Sequence, residues 1–332
     1  MRILILGGTS FLGRHLVLAA KTRGHAVTLF NRGKTGPDLF PDVEQIRGDR
    51  DGGLSALEGR TWDVCIDTSG YLPRVVRQSV AALRQSVQHY VFVSSVSVYA
   101  DFAVVGIAEE YPVARVEDES TEDIGQFYGA LKALCENEVV SGFGPDHALI
   151  VRPGLIVGPY DPTDRFTYWV RRFAQGGRVV VPESPDRPIQ LIDARDLAEW
   201  MLTLCENQVT GVFNATGLVP PLTMGRLVDA LMNTLPAASE VEWLPEDFLL
   251  EHEVAEWSEL PLWISDAANW PGFETVSVDR ALAQGLTFRT IEDTIGATWE
   301  WDLTRNQAAP MKAGLTPERE RELLADWDNQ HA

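Results

Sequence analysis

The chain has 332 residues, 45% of them hydrophobic and 23% charged, enough for a large packed core, or for two smaller ones, in a globular protein. A net charge of −20 argues against general affinity for polyphosphate backbones or anionic membranes, while leaving room for a local basic pocket. Three cysteines and six histidines, scattered without disulfide-framework or zinc-type spacing, point to no metal site.

In chain order, "RILIL" (2–6) reads as a buried strand running into the glycine turn "GGTSFLG" (7–13). A chain that starts directly on such a strand is expected to carry no signal peptide. With no apolar run of membrane-spanning length, a cytoplasmic protein is expected. Further strands are expected at 26–30, 43–48, 63–67, 90–94 and 148–152, and apolar residues recur at helical spacing over 12–24, 72–85 and 127–144. Strands this continuously apolar are covered on both faces, which predicts an α/β fold with a doubly wound parallel sheet. The acidic run 116–125 is expected to be a solvated loop.

After residue 155 the rhythm changes, and nine of the ten tryptophans lie beyond it. This predicts a smaller, mixed C-terminal substrate lobe. Its expected segments are 155–187 and 218–315, with 1–154 as the dinucleotide-binding domain and 188–217 returning to it. The segment "TPERERELLADW" (316–327) has Thr316 as a cap and Pro317 at the first helical position, so 316–332 is expected to be a terminal helix and tail.

A phosphate-binding turn needs small residues, so that backbone N–H groups and a helix N-terminus approach the ligand. Gly7 suits the tight turn, Gly13 lets the helix pack close, and Gly8, Thr9 and Ser10 stay small. Ser10 stands where a third glycine is usual, and it costs little if its φ is negative. At the end of the second strand, Asn31 and Arg32, with Lys34 nearby, replace the carboxylate that would bind a ribose. Guanidinium there suits a 2′-phosphate, so NADP is expected, with NAD as the alternative. Further on, Tyr128 and Lys132 stand four apart on one helix face, about thirty residues after the strand end that carries Ser94, Ser95 and Ser97. An ammonium beside a phenol would lower its pKa toward use as an acid or base.

This ordered set resembles the extended short-chain dehydrogenase/reductase family, the NAD(P)-dependent epimerase/dehydratase group, over almost the whole chain. "SSVSVYA" (94–100) is similar to its serine strand, "YGALK" (128–132) to its catalytic helix and "RPGLIVGP" (152–159) to the loop over the nicotinamide. The resemblance implies a Rossmann-type domain, with Tyr128 as general acid/base and Lys132 lowering its pKa and binding the nicotinamide ribose. Ser95 would orient the reacting oxygen, with Ser97 as fallback. Cofactor contacts are implied for Gly7, Thr9, Ser10, Phe11, Leu12, Gly13, Asn31, Arg32, Asp49, Thr68, Ser69, Gly70, Ser94 and Pro153.

Val96 and Ser97 stand where family dehydratases carry an acidic pair, which argues against sugar 4,6-dehydration. "GGTxFLG" recurs in a divergent branch that includes reductases and RNA-associated proteins. Arg165 and Arg187 could clamp a substrate phosphate or carboxylate, although Arg187 is out of frame with the family's pyrophosphate arginine. Trp169, Trp257, Trp263 and Trp270 could stack on a ring, with at least half expected to be packing residues. The expected activity is NADP-dependent hydride transfer to or from a carbonyl or secondary alcohol of a small polar metabolite. The alternatives are a nucleotide-sugar 4-epimerase with tightly held NAD, and a non-catalytic cofactor-sensing or RNA-associated protein. No nucleic-acid or membrane partner is expected; pairing through helices is common in the family, so a homodimer is the expected assembly.

Overall fold

In a computed structural model, which describes residues 1–183 and 185–331, the apolar runs become strands enclosed on both faces. They are β1 (Arg2–Leu6), β2 (Ala26–Asn31), β3 (Glu44–Arg47), β4 (Trp62–Asp67), β5 (Val87–Val93) and β6 (Ala148–Pro153). After β7 (Leu155–Val157), β8 (Gly177–Pro182), β9 (Pro188–Ile189) and β10 (Leu191–Asp193), the chain returns to the same sheet at β11 (Gly211–Ala215). The order is β11-β6-β5-β4-β1-β2-β3, all parallel, with Ile3 between Val27 and Val64. Ile3, Leu4 and Ile5 are fully buried, so neither face of β1 has room for a polar alternation.

Helices cover both faces. On one side α1 (Phe11–Thr22) brings Leu16, Val17 and Ala20 into a core shared with Leu197 and Met201. On the other, α2 (Pro73–Leu83) and α3 (Ile124–Phe143) pack through Val76, Val80, Cys135 and Val139. Pro73 opens α2, where a missing N–H costs nothing. The helix α3 begins three residues before the expected 127, because Asp123 accepts the Gln126 N–H at 3.1 Å as a cap, and its backbone departs from helical angles at Phe127. After α4 (Arg165–Gln175), α5 (Ala194–Glu206) supplies Leu197 and Met201, and its cap is Asp193, which accepts the Arg195 N–H at 2.8 Å.

The second core belongs to the lobe. It joins α4 and β8 to α6 (Met224–Thr234), which follows β12 (Leu222–Thr223), to β13 (Ser239–Leu244) and to the segment around α7 (Glu246–Glu251). Trp169 and Trp263 are fully buried here and are packing residues. Next come α8 (Asp279–Ala283), α9 (Ile291–Asp302) and α10 (Pro317–His331). Arg171 of α4 and Asp302 of α9 form a buried bidentate pair at 2.6 and 2.8 Å. Around α8, Ala281 and Leu286 pack with the α1/α5 core rather than with the lobe. Thr316 caps α10 at the Arg319 N–H, 3.2 Å, and Leu323 anchors the helix on the lobe core. No helix among the described residues is long and apolar enough to cross a membrane.

The link between β9 and the 270s segment holds an unusual carboxyl. Glu274 accepts the Gln190 N–H through one oxygen, while Oε1 is buried without a partner among the described residues. Burial pushes its pKa up to about 8. The folded state therefore favours the protonated form, and this contribution to stability is full below the ordinary value of 4.5 and lost as pH rises through about 8. Glu274→Gln should flatten the alkaline decline in unfolding temperature between about pH 5 and 9; parallel curves for the two proteins would show that the carboxyl is solvated.

Candidate active site

One cleft of about 980 Å³ runs along the carboxyl ends of the strands, where open α/β sheets hold their ligands. The glycine turn forms its floor. At φ +115°, Gly7 adopts a conformation that favours glycine, and a Cβ on Gly13 would lie 2.8 Å from the Gly8 backbone. Ser10 has φ −130° and so fits without strain; Phe11, one residue on, takes the positive φ of 34°. Thr9, Leu12, Thr68, Ser69, Asp49 and Pro153 all line the cleft, as does Phe11.

Two of the expected cofactor residues have other work. The Asn31 amide donates to the Gly7 carbonyl at 3.1 Å, and its Oδ1 accepts from Gly33 N at 2.9 Å and from Arg47. Asn31 thus fastens the glycine turn to the end of β2, with its hydrogen-bonding groups already occupied. Gly70 does not line the cleft; it is buried beneath it, and its carbonyl accepts from Lys132. Arg32 and Lys34, by contrast, are exposed at the rim, with no carboxylate partner among the described residues.

An arginine that sequence reading missed lies beside them. Arg50 grips Asp67, at the end of β4, through two hydrogen bonds of 2.7 and 2.8 Å, and also reaches Ser79 at 3.0 Å. Tyr90 adds its hydroxyl to Asp67 at 2.9 Å. Burial by itself would raise the Asp67 pKa, but the Arg50 charge and these bonds hold it below the ordinary carboxylate range. Its only signal in the sequence is an aspartate ending an apolar strand, and its partner is seventeen residues away in the chain.

At the other end, Ser94, Ser95 and Ser97 follow β5. Ser95 Oγ accepts from Ser97 N and donates to Ser97 Oγ, each at 3.1 Å, so the two hydroxyls act as a pair. Ser94 Oγ is buried without a partner among the described residues. The Tyr128 ring lies 6.5 Å from that of Tyr71, and α3 is pressed so closely on the serine turn that a Cβ on Gly129 would fall on the Ser97 carbonyl oxygen. Burial raises the Tyr128 pKa and Tyr71 adds to the rise, while the Ser95 hydroxyl and the Arg165 charge oppose it.

Lys132 is held by two backbone carbonyls. Its ammonium donates to the carbonyls of Gly70 and Val93, at 2.8 and 2.6 Å, and burial pulls its pKa down to about 8. The strand-end carbonyls hold the charge in a buried site, and the Ser95 hydroxyl and the Arg165 charge favour the Tyr128 phenolate. Arg165, Trp257 and Phe273 complete the lobe side of the cleft. Arg187, expected as a substrate residue, is outside it, paired with Glu246 at 3.4 Å and Asp266 at 2.5 Å. Trp270 is 52% exposed and packs against Phe102 and Phe273. No cluster of possible metal ligands occurs among the described residues.

Residues 75–215 match the model of the NAD dependent epimerase/dehydratase family, a span that holds the serine turn and the Tyr128–Lys132 helix but not the glycine turn. Chloroplast stem-loop binding protein of 41 kDa b from Arabidopsis thaliana is 28% identical over 236 residues, 65% of this chain. The chain spans 58% of the length of that relative. Among solved structures, UDP-glucuronic acid 4-epimerase from Bacillus cereus in complex with NAD aligns with TM-score 0.65 and 15% identity, over 92% of this chain and 100% of its own. The UDP-glucose 4-epimerase of Thermus thermophilus in complex with NAD aligns with TM-score 0.62 and 18% identity, over the same shares. The matched segment carries the likeness to the NAD dependent epimerase/dehydratase family, and these solved structures share the fold of the parallel sheet and its helices.

Proposed function

We propose that the chain is an NADP-dependent oxidoreductase acting on a carbonyl or secondary alcohol of a small polar metabolite. The observation that carries this reading is one cleft lined by the glycine turn, the carboxylate-free Arg32 and, at the far end, the Ser95–Ser97 pair and Tyr128. The cleft fits a dinucleotide: Gly7 and Gly13 leave room for close backbone approach, and the buried Ser94 hydroxyl has no partner among the described residues. Arg32 would take a 2′-phosphate, and the glycine turn with the start of α1 the pyrophosphate. When bound, the cofactor supplies or accepts a hydride. Tyr128 holds the proton for the substrate oxygen, and Ser95 and Ser97 position that oxygen. With its pKa raised, the phenol stays protonated at neutral pH, the form that donates to a carbonyl undergoing reduction.

Calorimetric titration of cofactor-stripped protein with NADPH and NADH tests the reading. NADPH should bind the more tightly, and Arg32→Ala should lower the NADP-over-NAD preference by about tenfold or more, the weight of one charge-assisted bidentate contact. An unchanged ratio removes Arg32 from phosphate recognition. Two further readings share the fold. A 4-epimerase would hold NAD through purification without net turnover, as the NAD complexes of the structural neighbours suggest. A non-catalytic protein, suggested by the name of the stem-loop binding relative, would bind neither nucleotide productively, and the net charge of −20 weighs against RNA.

A further inference from the structure

Most arginines in this acidic chain are matched to carboxylates, and the exceptions inside the cleft are Arg32 and Arg165. Arg165 opens α4, set there by Asp164 in the left-handed region at φ 64°. Two acids lie within four residues of it in the chain, and both are committed elsewhere. Asp164 is buried against Arg305 at 2.7 Å and the Lys312 N–H at 3.0 Å. Asp161 is buried and takes the Thr163 N–H and hydroxyl, each at 2.8 Å. The fold thus leaves a half-buried guanidinium facing the cleft with no carboxylate partner among the described residues. Its Cζ lies 5.8 Å from the Trp257 ring centre, a cation–π contact that holds its plane without using up its N–H groups. Trp257, Phe273 and Tyr71 supply apolar ring surface along the same cleft.

We propose that the lobe end of the cleft is an oxyanion site centred on Arg165, so that the compound bound there joins a carboxylate or phosphate to a ring or apolar body. That this compound is the substrate rests on the oxidoreductase reading; the anion site itself does not. A planar fork aimed at two oxygens is the recognition chemistry that arginine serves and lysine does not. The same charge is one of the groups that oppose the raised pKa of Tyr128. An anion seated on Arg165 would cancel part of that pull and keep the phenol protonated.

Phenyl phosphate and phenylacetate, titrated calorimetrically into protein with and without saturating NADPH, test the proposal and distinguish the two anions. At least one should bind, and R165Q should weaken it at least tenfold while leaving NADPH affinity and unfolding temperature near those of the parent. R165K, which keeps the charge and loses the fork, should fall between them, and it carries the test should R165Q fail to fold. Binding of neither probe overturns the proposal, as does binding that R165Q, or R165K in its place, leaves intact. If NADPH fails to bind but a probe binds through Arg165, the oxidoreductase reading falls and the anion site stands.

Discussion

Tyr128→Phe is expected to reduce turnover about a thousandfold and to leave NADPH affinity within about twofold, because the change removes one proton-carrying oxygen and little else. The ring remains beside Tyr71, and the Ser95–Ser97 pair is bonded within itself, so the variant should keep its fold. The pH dependence distinguishes a chemical role from a packing one. Burial and Tyr71 hold the phenol above its ordinary value of 10, so a reductive reaction should not lose activity through Tyr128 ionisation anywhere near neutrality. Turnover that survives in the variant, with an unchanged pH profile, would take Tyr128 out of the mechanism.

Gly129→Ala should do comparable damage by another route. The added Cβ would be aimed at the Ser97 carbonyl oxygen, an atom of the backbone that cannot rotate away. Either α3 retreats or the turn carrying Ser95 and Ser97 moves, and Tyr128 is the residue just before Gly129. A shift of about 1 Å in such a constellation costs on the order of a hundredfold in rate. Overpacking a close contact costs about 1–3 kcal/mol of stability. Rate measurements and thermal unfolding on the same preparation check both numbers. A variant with parental activity would show that the serine turn and the tyrosine need not be held together. The mutation leaves every functional hydroxyl in place, so a loss would report on geometry alone.

The nearest analogue to this effect at the other end of the cleft is Asn31. From the sequence it reads as a cofactor contact, since it stands at the end of β2, and the fold also makes it the clasp of the glycine turn. Lys132 shows the same thing. Its four-residue spacing from Tyr128 puts both on one face of α3, yet its ammonium is drawn to two strand-end carbonyls. Spacing fixes which face a side chain leaves from; the partners it meets depend on elements distant in the chain.

By itself, the sequence determined the sheet and its helices, the position of the glycine turn, the serine-bearing strand end and the Tyr128–Lys132 helix. All of these follow from local periodicity, backbone preference and the short-range order of small and polar residues, which are written into consecutive positions. Only the tertiary structure decided which charges are matched and which are left free. Arg50 is matched by Asp67, Arg187 by Asp266 and Asp164 by Arg305, across separations of 17, 79 and 141 residues. Among the described residues Arg32 and Arg165 are left without such partners, because pairing depends on where chain segments meet in space, and no local pattern records that.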